Sequence, residues 1–112
     1  MTTPEGKIKD YLKQRCNGLC WQCFALVNPI VLGWPDRTLM ANSPSGAGLI
    51  AFVETKAPTT GHKAEHQERQ RRCQGMLRGL GFPVFVVSTE GNVEQMFHAL
   101  VFQYGWPGFG CI

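Results

Sequence analysis

The chain has 112 residues, enough for one hydrophobic core and too few for two. Apolar residues make up 44% and charged residues 17%, which excludes a disordered chain and a coiled coil. A formal charge of +3 permits a polyanionic partner without demanding one, and no apolar run approaches the roughly 18 residues that span a bilayer.

Thr3-Pro4-Glu5 reads as a helix start, with proline at the first helical position and an acid in the first turn. The helix carries Ile8, Tyr11, Leu12 and Arg15 at spacings of three and four and stops near Asn17-Gly18. Leu19 to Val27 is mostly apolar and aromatic, a strand ended by Asn28-Pro29. Arg37 to Ala41 is a short second strand, and a turn-rich link leads to Leu49-Ile50-Ala51-Phe52-Val53. That unbroken apolar run is what a strand covered on both faces looks like.

After Pro58-Thr59-Thr60-Gly61, His62 to Gly79 reads as a helix whose inward stripe is His66, Gln70, Cys73, Leu77 and Leu80. Lys63, Arg69, Arg71, Arg72 and Arg78 crowd this segment; from charge alone a solvated helix face is the better reading than a DNA contact surface. Phe82 to Val87 is a further buried strand. Val93 to Tyr104 is a final helix facing inward with Val93, Met96, Phe97, Leu100 and Val101, and the tail 105–112 is irregular. The order predicts one α/β domain over 1–112, a central mixed sheet flanked by helices, with a crossover helix between the third and fourth strands.

Glu54-Thr55-Lys56 follows the buried run directly, and in extended chain Glu54 and Lys56 share a face. A carboxylate at the rim of a covered sheet is costly to desolvate unless a cation compensates it. Taken in isolation, the pair marks a strand leaving the core. Gly33-Trp34-Pro35-Asp36-Arg37 supplies a second acid on a rigid turn before a strand. Two carboxylates from neighbouring strands are what magnesium takes from a protein while keeping several waters.

Pro35-Asp36 followed by Glu54-x-Lys56 resembles the signature of the PD-(D/E)xK nuclease superfamily. The ordered set Gly33-x-Pro35-Asp36-Arg37, Phe52-Val53-Glu54-Thr55-Lys56-Ala57-Pro58, and Gln70 ahead of Gly81-Phe82-Pro83-Val84-Phe85-Val86-Val87 resembles the virus-type replication and repair nucleases, the VRR-NUC family. The likeness runs from about Glu5 to about Val93. It implies a restriction-endonuclease-like core and a Mg²⁺- or Mn²⁺-dependent DNA endonuclease of phage, repair or recombination type, selective for branched or junction DNA. It further implies that Asp36 and Glu54 hold the metal with the Thr55 carbonyl and help from Glu5, and that Lys56 and Gln70 complete the catalytic set. Lys63, Arg69, Arg71 and Arg72 would then contact DNA, and a homodimer is expected, with the final helix and tail as candidate interface.

Two rivals stand beside this. Cys16, Cys20 and Cys23 have spacings near those of zinc ligands, although buried structural cysteines fit them better. A DNA-binding or packaging accessory protein could keep the fold without the chemistry. Five cysteines, an odd number, and no secretory-type N-terminus point to reduced thiols in a cytoplasm, and the resemblance implies that of a bacterial or phage-infected cell. His62 and His66 could reach phosphate but read as surface residues, and Trp34 reads as packing under the Asp36 turn rather than stacking on a base.

Overall fold

A computed structural model describes residues 4–25, 33–56 and 64–108. Helix α1 (Pro4–Gly18) leads to β1 (Gln22–Phe24), β2 (Arg37–Asn42) and β3 (Gly48–Thr55); α2 (Ala64–Gly79), β4 (Val84–Val87) and α3 (Glu90–Phe102) follow. The four strands form one sheet in the order β1-β2-β3-β4. β2 pairs antiparallel with β1 and β3, whereas β4 runs parallel to β3, so α2 is the crossover that the sequence predicts. The ladder between β3 and β4 ends where the Lys56 N–H donates to the Val87 carbonyl, 2.9 Å away.

β3 is buried continuously from Ala51 to Thr55 because helices cover both of its faces. Ala51 and Val53 point into the larger core with Leu12 of α1, Leu39 of β2 and Phe97 and Leu100 of α3. Phe52 points the other way, into a smaller core with Cys73 and Leu77 of α2 and Val84 of β4. Burying each Leu, Val or Phe stabilises the fold by about 1.5–3 kcal/mol, so both layers hold β3 in register. A slip of one residue would exchange every side chain between the two cores.

The structure corrects the sequence expectations at several points. The first strand is shorter than expected: Leu19 and Cys20 still belong to the helix-terminal turn, whose carbonyls at Cys16 and Asn17 accept their N–H groups, and Cys20 has φ +59°. Leu26 and Val27 lie outside the described residues. The α2 stripe is Gln70, Cys73, Gln74 and Leu77; His66 is exposed, and Leu80 is 68% exposed because the chain turns away at Gly81. β4 is an edge strand, buried at Val84 and Val87 but open at Val86, beyond the cover of α2.

The last helix starts earlier than predicted, at Glu90, because the Thr89 hydroxyl caps it by accepting the Asn92 N–H at 3.0 Å. The described part of the tail, 105–108, is irregular yet anchored. Trp106 is buried and packs edge-on against Trp21, which stacks on Phe97 and donates its indole N–H to the Pro107 carbonyl.

Candidate active site

The pleat of β3 sends Glu54 to the α2 side and Thr55 to the α1 side. Glu54 is 7% exposed, and its Oε1 accepts a hydrogen bond from Gln70 Nε2 at 2.8 Å. Among the described residues its Oε2, which is buried, has no hydrogen-bond partner, and neither has Oε1 of Gln70. Burial, and then the charge of Asp36, raises the Glu54 carboxyl to about 7; the Asp36 backbone N–H and the Lys56 ammonium oppose this only in part. An uncompensated buried acid of this kind is a place where positive charge would be stabilised strongly.

Asp36 is fixed by Thr55. The Thr55 N–H donates to Oδ1 at 3.1 Å, and the Thr55 hydroxyl donates to Oδ2 at 2.5 Å. Glu5 approaches the same hydroxyl at 3.5 Å, but the single proton is already committed to the nearer Asp36 oxygen. Lys9, one turn after Glu5 on α1, lies between the acids, with Nζ 3.2 Å from Glu5 Oε1 and 3.5 Å from Asp36 Oδ2. Among the described residues no three His, Cys, Asp or Glu side chains converge to cage a metal ion. The Glu54 carboxylate feels the charge of Asp36 and the Asp36 backbone N–H, while Glu5 is joined to Asp36 through Lys9 and Thr55.

The turn carrying Asp36 is clamped from outside. Gly33 has φ +85°, and a Cβ there would lie 2.5 Å from the carbonyl of Arg69 on α2. Only glycine permits both the conformation and the approach. Trp34 packs edge-on against Phe52, so the packing reading of this tryptophan holds.

Lys56 lines a groove of about 150 Å³ with Gln67, Gln70, Arg71, Gln74 and Val86. Of the arginines singled out from sequence, Arg71 reaches this groove. Arg69, Arg71 and Arg72 are all exposed and pair along α2, Arg69 with Glu65 and the other two with Glu68. Lys63 lies outside the described residues.

The zinc reading loses its ligands. Cys16 is buried and hydrogen-bonded to Cys23, which with burial holds the Cys16 thiol up. The Cys23 thiol is pulled down, by that bond first and by Arg37 and Lys13 next. Cys20 is disulfide-bonded, which corrects the expectation of reduced thiols at that residue, whereas Cys16, Cys23 and Cys73 are free.

Lys9 and the Thr55 hydroxyl are the residues that sequence reasoning missed. The spacing of Glu5 and Lys9 was a visible helix pair, but its second partner, Asp36, comes from a distant turn. The proximity of the Thr55 side chain to Asp36 follows only from the pairing of β2 with β3.

No protein-family model and no curated protein matches the chain. A solved structure described as a "VRR_NUC domain" is 28% identical, with a TM-score of 0.71, covering 87% of this chain and 97% of its own. The match covers most of both chains, and it agrees with the likeness carried by the Pro-Asp and Glu-x-Lys motifs. The chain has the fold of a VRR_NUC domain, a restriction-endonuclease-like, nuclease-type architecture.

Proposed function

We propose that this chain is a divalent-metal-dependent DNA endonuclease with Asp36, Glu54 and Lys56 at its reaction centre. The observation that carries this is Glu54, a buried carboxylate whose Oε2 has no hydrogen-bond partner among the described residues, under the charge of Asp36 on the fold of a VRR_NUC domain. That donor set fits a hard cation such as Mg²⁺ or Mn²⁺, which takes one or two carboxylates and completes its shell with water and substrate oxygens. Asp36 and Glu54 would hold it, with the Thr55 carbonyl as a further oxygen. When bound, the ion polarises a phosphate oxygen and lowers the pKa of an attacking water.

The side chains of the protein do the remaining work. Gln70 holds Glu54 in one orientation by its 2.8 Å bond, and Thr55 does the same for Asp36, so neither acid reorganises on binding. Lys56, on the face of Glu54, supplies positive charge for the phosphate oxygens as negative charge builds on them. Arg71, in the groove beside Lys56, attracts the DNA backbone together with Lys63, Arg69 and Arg72. Glu5, paired with Lys9, would help hold the ion or its waters at the edge of the site.

Branched or junction DNA is the proposed substrate, cut by a symmetric pair of chains that meet through the final helix and tail. Incubation with four-way junctions, flaps and linear duplexes, in magnesium, manganese or chelator, tests the activity. Cutting that needs a divalent ion and disappears in Asp36→Ala, Glu54→Ala and Lys56→Ala is expected. DNA binding without cutting by the wild-type chain would instead favour the accessory-protein reading. Light scattering tests the dimer, and a monomer at assay concentration would overturn it.

A further inference from the structure

On the α1 side of Asp36 a cavity of about 240 Å³ is lined by Lys9, Asp10, Lys13, Cys23, Ala25 and Arg37. Its charge is unbalanced. Lys9 and Lys13 are four residues apart on α1, so both side chains leave one helix face, their backbones about 6 Å apart along the axis. Arg37 enters from the start of β2, and its Nη1 donates to the Asp36 carbonyl at 2.8 Å, which fixes the guanidinium, a group with five N–H donors. Lys9 is neutralised by Glu5 and Asp36, but among the described residues neither Lys13 nor Arg37 has a carboxylate within 4.0 Å. The one acid of the cavity, Asp10, is exposed at its rim.

We infer that this notch binds a phosphate of the substrate strand next to the one that is cut, with Lys13 and Arg37 as its two cations and Lys9 linking it to Asp36. The inference rests on the nuclease reading for which phosphate is cut. The volume corresponds to about eight waters at ~30 Å³ each, room for a phosphate group and part of its hydration. Position supports it as well. The Lys56 groove includes Gln70, which bonds to Glu54, and the notch includes Lys9, which pairs with Asp36, so each cation site borders one of the two acids. A strand crossing the acids therefore meets cations before and after the reaction centre, which would fix its register against Glu54. An arginine presents a planar fork for two phosphate oxygens and a lysine a point charge, a combination suited to a phosphodiester.

The test uses the full chain and two readouts. In chelator, with no cutting, the affinity for junction DNA is measured against salt concentration. Lys13→Gln should lower the slope of log K against log salt by about 0.9, the value for one lost phosphate contact, and weaken binding several-fold. Lys13→Arg should restore both, and Lys7→Gln, exposed on another face of α1, should change neither. An unchanged slope for Lys13→Gln, or an equal loss for Lys7→Gln, overturns the notch. In the presence of metal, single neutral methylphosphonate linkages are walked along the cut strand. One position flanking the cut should impair the wild-type chain about as much as Lys13→Gln does, and should cost Lys13→Gln itself nothing more. Additive losses at every position overturn the inference. If the wild-type chain cuts no DNA at all, the nuclease reading fails and the salt slope alone decides whether the notch takes phosphate.

Discussion

Thr55 holds Asp36 by two hydrogen bonds, from its backbone N–H at 3.1 Å and from its hydroxyl at 2.5 Å, while Glu54, one residue earlier, is held by Gln70 on the other side of the sheet. The pleat therefore makes one strand residue a ligand candidate and its neighbour the anchor of a second. Thr55→Val keeps the shape of this 1%-exposed side chain and removes only the hydroxyl. We expect a loss of about 1–3 kcal/mol, because a charge-assisted bond disappears and Asp36 Oδ2 keeps only Lys9. Urea denaturation measures this, and cleavage should fall at least tenfold with the fold retained.

Glu54→Gln separates function from stability. Cutting should be lost, yet the variant in chelator should be as stable as the wild-type chain or more so, since the uncompensated buried charge is gone. The same group sets a pH dependence. Its folded pKa, about 7, lies above the ordinary 4.5, so between those values the folded state binds more protons than the unfolded state. The stability contributed by the neutral form is complete below about 4.5 and is lost as pH rises through 7, by at most roughly 3 kcal/mol. Melting of the metal-free chain across that window should show this slope in wild type and not in Glu54→Gln.

Lys9 competes with any cation at Asp36 and Glu5. In Lys9→Gln the two acids lose their shared cation, so Mn²⁺ should bind several-fold more tightly in calorimetry. Because the pairs are partly exposed, the metal-free variant should lose only about 0.5–1 kcal/mol. Weaker Mn²⁺ binding would mean that Lys9 orders the acids rather than competing for them.

Gly33→Ala tests the clamp between the Asp36 turn and α2. The added methyl meets the Arg69 backbone at 2.5 Å, with φ at +85°, so a loss of more than about 2 kcal/mol is expected. Any folded fraction should cut poorly, because α2 also carries Gln70.

Much of this was legible in the chain. The apolar run before Glu54 announced a strand covered on both faces, and the positions of Pro35-Asp36 and Gln70 followed from local turn and helix signals. What could not be read depends on distant pairing. Lys9 meets Asp36, and Thr55 reaches it, only once β2 is registered against β3. Leu80 has the spacing of a core residue, but the turn at Gly81 takes it out of the stripe. Trp106 sits in a glycine- and proline-rich segment whose composition gives no sign that it closes the larger core.

The two cores on either side of β3 have one further consequence. Each carboxylate is steadied from a different hydrophobic layer, Asp36 toward the layer of α1 and α3, Glu54 toward that of α2. The centre is thus a seam between two independently packed halves, and its geometry registers how far one half slides against the other. A cavity made by Leu77→Ala should loosen the Gln70–Glu54 half while leaving the Thr55–Asp36 bonds as they are. Damage well away from the acids would then be felt as a change in spacing between them rather than as a loss of either.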